Sequence, residues 1–328
     1  MTARAAVAYE LVRSAASAAS SHNTQPWKFR CDPQGISIVP DFSRRCPAVD
    51  PDDHHLFVSL GCAAENLVLA AQVVGLHADT SFDASTRDDE IHIRLTPQSP
   101  SDSPLAAAIS RRQCTRAEYD CRAVPAHDLN LLESAGTAQD CGVVLLTDRL
   151  SIRMLTQYVA EANAAQFADR AFLDELIEWV RFNPAEAARL GDGLSAQVSG
   201  NPDVPRWLGR RILRAGFSSR RQIAKDARHV QSSAGIAIFV SNRNDKAHWI
   251  DVGRCYERFA LQATALGIRN AFVNQPVEVP SIRPRFAAWL GLGHQRPDLV
   301  VRFGYGPEMP RSLRRPLDDI IVRSDYDD

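Results

Sequence analysis

The chain has 328 residues, 45% of them hydrophobic and 23% charged, which is enough to bury a sizeable core and too apolar for extended disorder. Lysine and arginine number 38 against 39 acidic residues, so the formal net charge of −1 gives no general attraction to nucleic acid or to an anionic membrane surface. Seven cysteines, an odd number with no Cys-x-x-Cys pair, fail the spacing of zinc and thioredoxin-type frameworks, and a reducing cytoplasm is the expected location.

The small-residue run at the N-terminus predicts a helix over about Ala3 to Ala18, and Arg4, Glu10 and Arg13 interrupt it too often for a signal peptide. It stops at Ser20-Ser21-His22-Asn23-Thr24-Gln25-Pro26-Trp27. Ser, Asn and Thr side chains satisfy the backbone groups that a helix end leaves open, Pro26 is expected to keep Gln25 extended, and Trp27 supplies an apolar anchor. From residue types alone the octet reads either as a helix running into a strand or as a loop presenting hydroxyls and amides to a cofactor. His22 reads as support for that loop or as a donor to a ligand.

A strand is expected near Ile36 to Val39, a helix over about Asp53 to Val74, and strands near His77 and Ile91. His54-His55 has no partner at metal-ligand spacing, so no metal is assigned, and no run approaches the roughly eighteen apolar residues of a membrane helix. A helix over Leu105 to Ile109 leads into Arg111-Arg112-Gln113-Cys114-Thr115-Arg116, where three guanidiniums in six residues suit either a bound phosphate or a solvated basic turn.

Beyond it come a helix near Asp128 to Ser134, a strand at Val143 to Thr147 and one long helix from Ser151 to about Phe182. Asn183 to Pro205 reads as an irregular stretch, too long for an ordinary connection, and therefore as a lid. Arg206, Arg210, Arg211, Arg214, Arg220 and Arg221, interleaved with Trp207, Leu208 and Phe217, suit a membrane-surface helix or a solvated helix of the lid. A strand at Ile236 to Ser241, a helix from Trp249 to Leu266 and strands at Asn270 to Val273 and Leu299 to Phe303 complete the pattern. Neither a Gly-x-Gly-x-x-Gly turn after a strand nor a Walker loop occurs, so no built-in dinucleotide fold is indicated.

Two helical segments look like copies. Shifted by 192 positions, Gly61, Glu65, Leu69, Ala71 and Gly75 of the first coincide with Gly253, Glu257, Leu261, Ala263 and Gly267 of the second. Downstream, Ile91 to Leu95 and Leu299 to Phe303 echo one another as short strand-like runs. Small residues along both helices allow close approach, as in the central pair of a symmetric dimer. The expected fold is α+β, with helices covering mixed or antiparallel sheets.

Four elements resemble the FMN-dependent nitroreductase family, and in particular its single-chain, Acg-type branch. The octet is similar to the family's Pro-Ser-x-x-Asn-x-Gln-Pro-Trp signature, with Ala19 in place of the proline. Arg112 to Arg116 is similar to an Arg-x-Ser/Thr-x-Arg/Lys element, with Cys114 at the hydroxyl position, so a phosphate hydrogen bond is expected to weaken or move to Thr115. Asn274-Gln275-Pro276-Val277-Glu278 resembles the loop whose amides lie beside flavin N5, with Val279 in place of a glycine, and Arg314-Arg315-Pro316-Leu317-Asp318-Asp319 resembles the closing Arg-x-Pro-Leu-Glu-Glu segment.

The resemblance implies a nitroreductase-like sandwich of two pseudo-symmetric halves fused in one chain, residues 1–104 and 105–328, with a lid insertion at 183–205. It implies FMN as cofactor, held by Ser20, Ser21, His22, Asn23, Gln25, Arg111, Arg112, Arg116, Pro276, Val277, Glu278 and Arg314. NAD(P)H is the implied donor and a nitroaromatic or quinone-like compound the acceptor; the basic segment after the lid would then steer the donor's phosphates. The flavin carries the chemistry, so no side chain need act as nucleophile. Because the octet lies in the first half and the other elements in the second, one complete site per chain is expected, in a monomer. The alternative is a flavin-storage or flavin-sensing protein whose lid stays closed.

Overall fold

The structure, a computed structural model, describes residues 3–84, 89–216 and 219–322. In the first half, α1 (Ala3–Ala16) passes through a 3-10 turn at Ser21–Asn23 into the hairpin β1 (Trp27–Cys31) and β2 (Gly35–Pro40). Asp32 closes that hairpin by accepting from the backbone N–H groups of Gln34 and Gly35, at 2.6 and 2.9 Å. Then follow α2 (His54–Val73), β3 (Leu76–Phe82), β4 (Ile91–Pro97) and the short α3 (Pro104–Ala108). Asp53 precedes α2 in the left-handed region, at φ 60°, and does not cap it; the Asp50 carboxylate accepts from the N–H groups of His55 and Leu56 instead, each at 3.0 Å.

The second half begins with α4 (Ala126–Ala135) and β5 (Cys141–Leu146). The single long helix expected here is two, α5 (Arg149–Ala168) and α6 (Arg170–Trp179), because Asp169 adopts an extended conformation and caps α6 by accepting from the Ala171 N–H at 2.8 Å. The stretch expected to be irregular is built as well. The two-residue strands β6 (Val180–Arg181) and β7 (Leu194–Ser195) pair in parallel around α7 (Pro184–Leu190), whose Asn183 cap accepts from the Glu186 N–H at 3.0 Å. The arginine-rich α8 (Arg206–Gly216) and α9 (Ser219–Gln231) lead to β8 (Gly235–Ser241), α10 (Lys246–Ala265), β9 (Arg269–Phe272), α11 (Gln275–Glu278), α12 (Arg283–Trp289), β10 (Arg296–Gly304) and β11 (Ile321–Val322).

The internal repeat is a real two-fold. The first sheet runs β11-β1-β2-β4-β3 and the second β5-β8-β10-β9, so apart from β11 they share one order, and every pairing in that order is antiparallel. Helices α2 and α10 lie between the sheets and cross at the paired glycines. A Cβ on Gly61 would overlap the Ile250 carbonyl oxygen and sit 2.8 Å from its carbon; a Cβ on Gly253 would meet the Val58 carbonyl in the same way, again 2.8 Å from carbon. Val58 and Ile250 are themselves related by the same shift of 192. Both helices end before a glycine in the left-handed region, Gly75 at φ 77° and Gly267 at φ 72°.

By length and composition α2 would pass for a membrane span, contrary to the expectation that no run comes close, but 78% of its most apolar window is buried in the protein, against α10 and the first sheet. The halves differ most at one hairpin, and again between β9 and β10, where α11 and α12 stand in place of the short connection from β3 to β4. Residues 32–34 join β1 to β2, whereas residues 147–234, carrying α5 to α9, join their counterparts β5 and β8. The C-terminal β11 crosses back to pair in parallel with β1, Ile321 opposite Phe29.

Candidate functional site

Two connected cavities lie where the octet meets the second half. The smaller, about 180 Å³, is lined by four arginines, Arg112, Arg116, Arg311 and Arg314, together with Ser17, Ser20, Asn23 and Cys114. The larger, about 620 Å³, shares Ala19, Ser20, Arg116, Leu194 and Phe272 with it and runs out under α6, α8 and α9.

The arginines are positioned by helix ends. Arg314 donates to the carbonyls of Ala16, Ser17 and Ala18 at 2.9, 3.0 and 3.0 Å, closing the C-terminus of α1, and to Asn23 Oδ1 at 3.0 Å. Arg112 donates to the Ser17 carbonyl at 2.8 Å and pairs with Glu257 of α10 at 2.9 Å, with both side chains almost wholly buried. Burial is the largest influence on Arg112 and opposes its charge, but Glu257 together with Tyr256, Cys114 and Cys62 outweighs it and the guanidinium is held above its ordinary pKa; burial and the Arg112 charge bring Arg314 down to about 10. Arg116 has neither an ion-pair nor a hydrogen-bond partner among the described residues. Four guanidiniums facing one carboxylate leave the small cavity electropositive.

The octet is held in a costly conformation. His22, Asn23 and Gln25 all have positive φ, at 48°, 55° and 53°. Gln25 is therefore not extended, as its place before Pro26 suggested. Its backbone N–H donates to Ser20 Oγ at 3.0 Å, its amide donates to the Gly191 carbonyl at 2.8 Å, and its Oε1 accepts from the Arg315 N–H at 2.9 Å, which together outweigh the pre-proline preference. Asn23 Nδ2 donates to the Gly193 carbonyl at 3.1 Å, and the Gly193 N–H returns a bond to the Asn23 carbonyl. Arg44 ties Asp192 to the same loop. Residues 191–193 of the expected lid are thus a fixed wall.

The site residues expected from the sequence fall into three groups. Ser20, Ser21, His22, Arg116 and Glu278 line the larger cavity, and Ser20, Asn23, Arg112, Arg116 and Arg314 the smaller. Gln25, Pro276 and Val277 are buried behind the walls and line neither. Arg111 is exposed and also lines neither. Thr115 is fully buried away from both cavities, so it is not placed to replace the hydroxyl missing at Cys114. Val279 has φ −88°, and the glycine it replaces is not needed for backbone freedom.

Sequence reasoning missed Asn163, Gln166, Phe167 and Phe172 of α5 and α6, Asp226 and His229 of α9, and Arg302 of β10, all of which line the larger cavity. Only Arg302 carried a signal, as the one charge in the apolar run Leu299 to Phe303. It is 1% exposed, donates to the Thr115 and Ala117 carbonyls at 3.0 and 2.9 Å, and stacks 4.2 Å from the Tyr119 ring centre. Three of the four arginines of α8 are spent within the protein: Arg206 and Arg210 reach Glu178 at 3.2 Å, and Arg214 reaches Asp174 at 2.9 Å, clamping α8 to α6. Phe217 lies outside the described residues. Asp50 lies near His54-His55, with one potential ligand atom of each of the three residues within 4.8 Å of the others.

Burial, reinforced by Arg116 and His55, lowers the pKa of His22 to about 4. A lowered imidazole pKa means that the unfolded chain binds the proton more tightly. His22 therefore contributes stability above its unfolded value of 6.5, and that contribution is lost as pH falls through about 4. Urea unfolding between pH 7 and 4 is expected to show a smaller acid destabilisation in His22→Asn, which also suits positive φ; equal pH dependence in both proteins would remove this assignment.

No protein-family model matches the chain. Similarity to proteins named as NAD(P)H nitroreductases nevertheless extends over nearly its whole length. The chain is similar to two proteins of Mycobacterium tuberculosis (strain ATCC 25618 / H37Rv). "Putative NAD(P)H nitroreductase Rv3131" is 27% identical over 93% of this chain and 88% of its own length, and "Putative NAD(P)H nitroreductase acg" is 24% identical over 94% and 93%. Among solved structures, the FMN-dependent nitroreductase NfnB from Mycobacterium smegmatis in complex with NADPH aligns with a TM-score of 0.42 and 17% identity, over 66% of this chain and 97% of that one.

Proposed function

We propose that this chain is an FMN-dependent NAD(P)H oxidoreductase of the nitroreductase type, reducing nitroaromatic or quinone-like acceptors. The observation that carries the reading is the four-arginine cavity opening onto a larger, aromatic-walled one. A phosphate needs clustered guanidiniums and a planar ring needs an apolar slot, and these lie side by side. The residues fit FMN on that ground. Arg112, Arg311 and Arg314 would hold its phosphate, and Ser20, which lines both cavities, with Asn23 of the smaller one, would meet the polyol. Arg116, with no protein partner, would face the electron-rich edge of the ring and stabilise negative charge there.

When bound, the flavin supplies two-electron hydride chemistry. Phe167, Phe172 and Phe182 exclude water, and Gln166 with Glu278 forms a polar floor, the amide donating to the carboxylate at 2.7 Å. The bonds from Asn23 and Gln25 to residues 191–193 favour a second reading, in which the wall stays shut and the protein stores flavin.

The visible spectrum of the purified protein without air, before and after NADPH, separates these readings. Bleaching of a flavin band is expected. A band unmoved by NADPH but bleached by dithionite selects storage, and a colourless protein that takes up no added FMN would sink both.

A further inference from the structure

We propose that Asp50, His54 and His55 bind a first-row transition dication of the zinc type, at a site distinct from the four-arginine cavity. One potential ligand atom from each residue lies within 4.8 Å of those of the other two, and all three residues are buried. His55 is 5% exposed, yet neither ring nitrogen makes a hydrogen bond of normal geometry, the Asp298 backbone being its neighbouring partner. Native interiors rarely leave an imidazole with both nitrogens idle, because each idle polar atom keeps its desolvation cost. The His55 Nδ1 to Asp50 Oδ1 separation is 3.8 Å, too long for a hydrogen bond. An ion about 2.0–2.1 Å from each ligand would span a separation close to that after a small contraction.

The surroundings are those of a ligand set. His54 Nε2 lies 3.0 Å from Asp298 Oδ1, the carboxylate-to-histidine arrangement that orients a metal-bound ring through the nitrogen not used for the metal. Asp50 is fixed by the His55 and Leu56 N–H groups, and each carboxylate oxygen keeps a lone pair. No lysine or arginine pairs with Asp50 among the described residues; Arg296, the nearby cation, is engaged with Asp298 at 3.3 Å and Asp52 at 3.8 Å. The positive end of α2 opposes a cation here, and Asp50, by taking two of its N–H groups, offsets that field. His55 also lines the larger cavity, which gives an ion an entry path and leaves a coordination position for water.

Zinc uptake by the full chain, after dialysis against a chelator, tests this by calorimetry and elemental analysis, with the thermal midpoint followed in parallel. His55→Phe breaks no hydrogen bond of normal geometry, forgoes only the contact with the Asp298 backbone, and is expected to fold. Cys121→Ser removes the exposed thiol that would take zinc on its own. The expected result is one zinc per chain and a raised midpoint, both lost in His55→Phe and both kept in Cys121→Ser. No stoichiometric uptake, uptake undiminished in His55→Phe, or uptake abolished in Cys121→Ser would each overturn the proposal, the second leaving His55 to hydrogen-bond a cavity ligand.

Discussion

Gly61→Ala is expected to destabilise the protein by about 3 kcal/mol, the upper end for an overpacked core, despite the ~1 kcal/mol that alanine gains over glycine inside a helix. The added methyl meets the Ile250 carbonyl, and backbone cannot turn aside as a rotamer does, so α2 and α10 must separate and loosen the core along their length. Gly253→Ala should behave alike, because its methyl meets Val58 by the same two-fold. The double variant should cost less than the sum, since one separation of the helices relieves both clashes. Urea midpoints decide the matter: a Gly61→Ala protein as stable as the parent would mean that the helices do not touch at these glycines.

Arg112→Ala should cost about 3–5 kcal/mol by leaving Glu257 charged and unpaired in the core, and should also release flavin. These two effects separate in a second variant. Arg112→Met with Glu257→Leu removes the pair together and is expected to recover most of the stability, because a buried ion pair is often replaceable by apolar side chains of similar volume. It should still lose flavin during purification, since the phosphate keeps only Arg311 and Arg314 once the Arg112 guanidinium is gone. A yellow double variant would take Arg112 out of the phosphate site and leave it a structural residue only.

Much of this was legible because it rests on local rules. The helix pair, most strand positions and the repeat follow from apolar period and from glycines whose spacing recurs, and the octet from a dense run of capping side chains. What escaped depends on contacts distant in sequence. Gln25 is turned from the conformation Pro26 favours by partners near residues 191 and 315. The break at Asp169 was hidden because an aspartate inside an amphipathic run looks like a solvated residue until its side chain is seen to cap the next turn. The walls of the larger cavity come from α5, α6 and α9, elements whose own patterns say only that they are helices. His54-His55 was judged on histidine and cysteine spacing, whereas its partner Asp50 reads in sequence as an ordinary pre-helix acid.

The return of β11 to β1, with Arg314 closing the end of α1, has a consequence for the order in which the protein is made. Four strands of the first sheet and the strained octet lie in the opening third of the chain and the four arginines of the cavity lie beyond it, yet none of the three is complete until residues 313–322 have emerged. Phe29 waits for the Ile320 carbonyl, which its N–H meets at 2.7 Å, and Asn23 and Gln25 wait for Leu313 and Arg315. Removing residues 313–322 would leave most of both cores in place and open the enclosure of the cavity, so the ability to hold a ligand there reports that this late segment has docked on the octet.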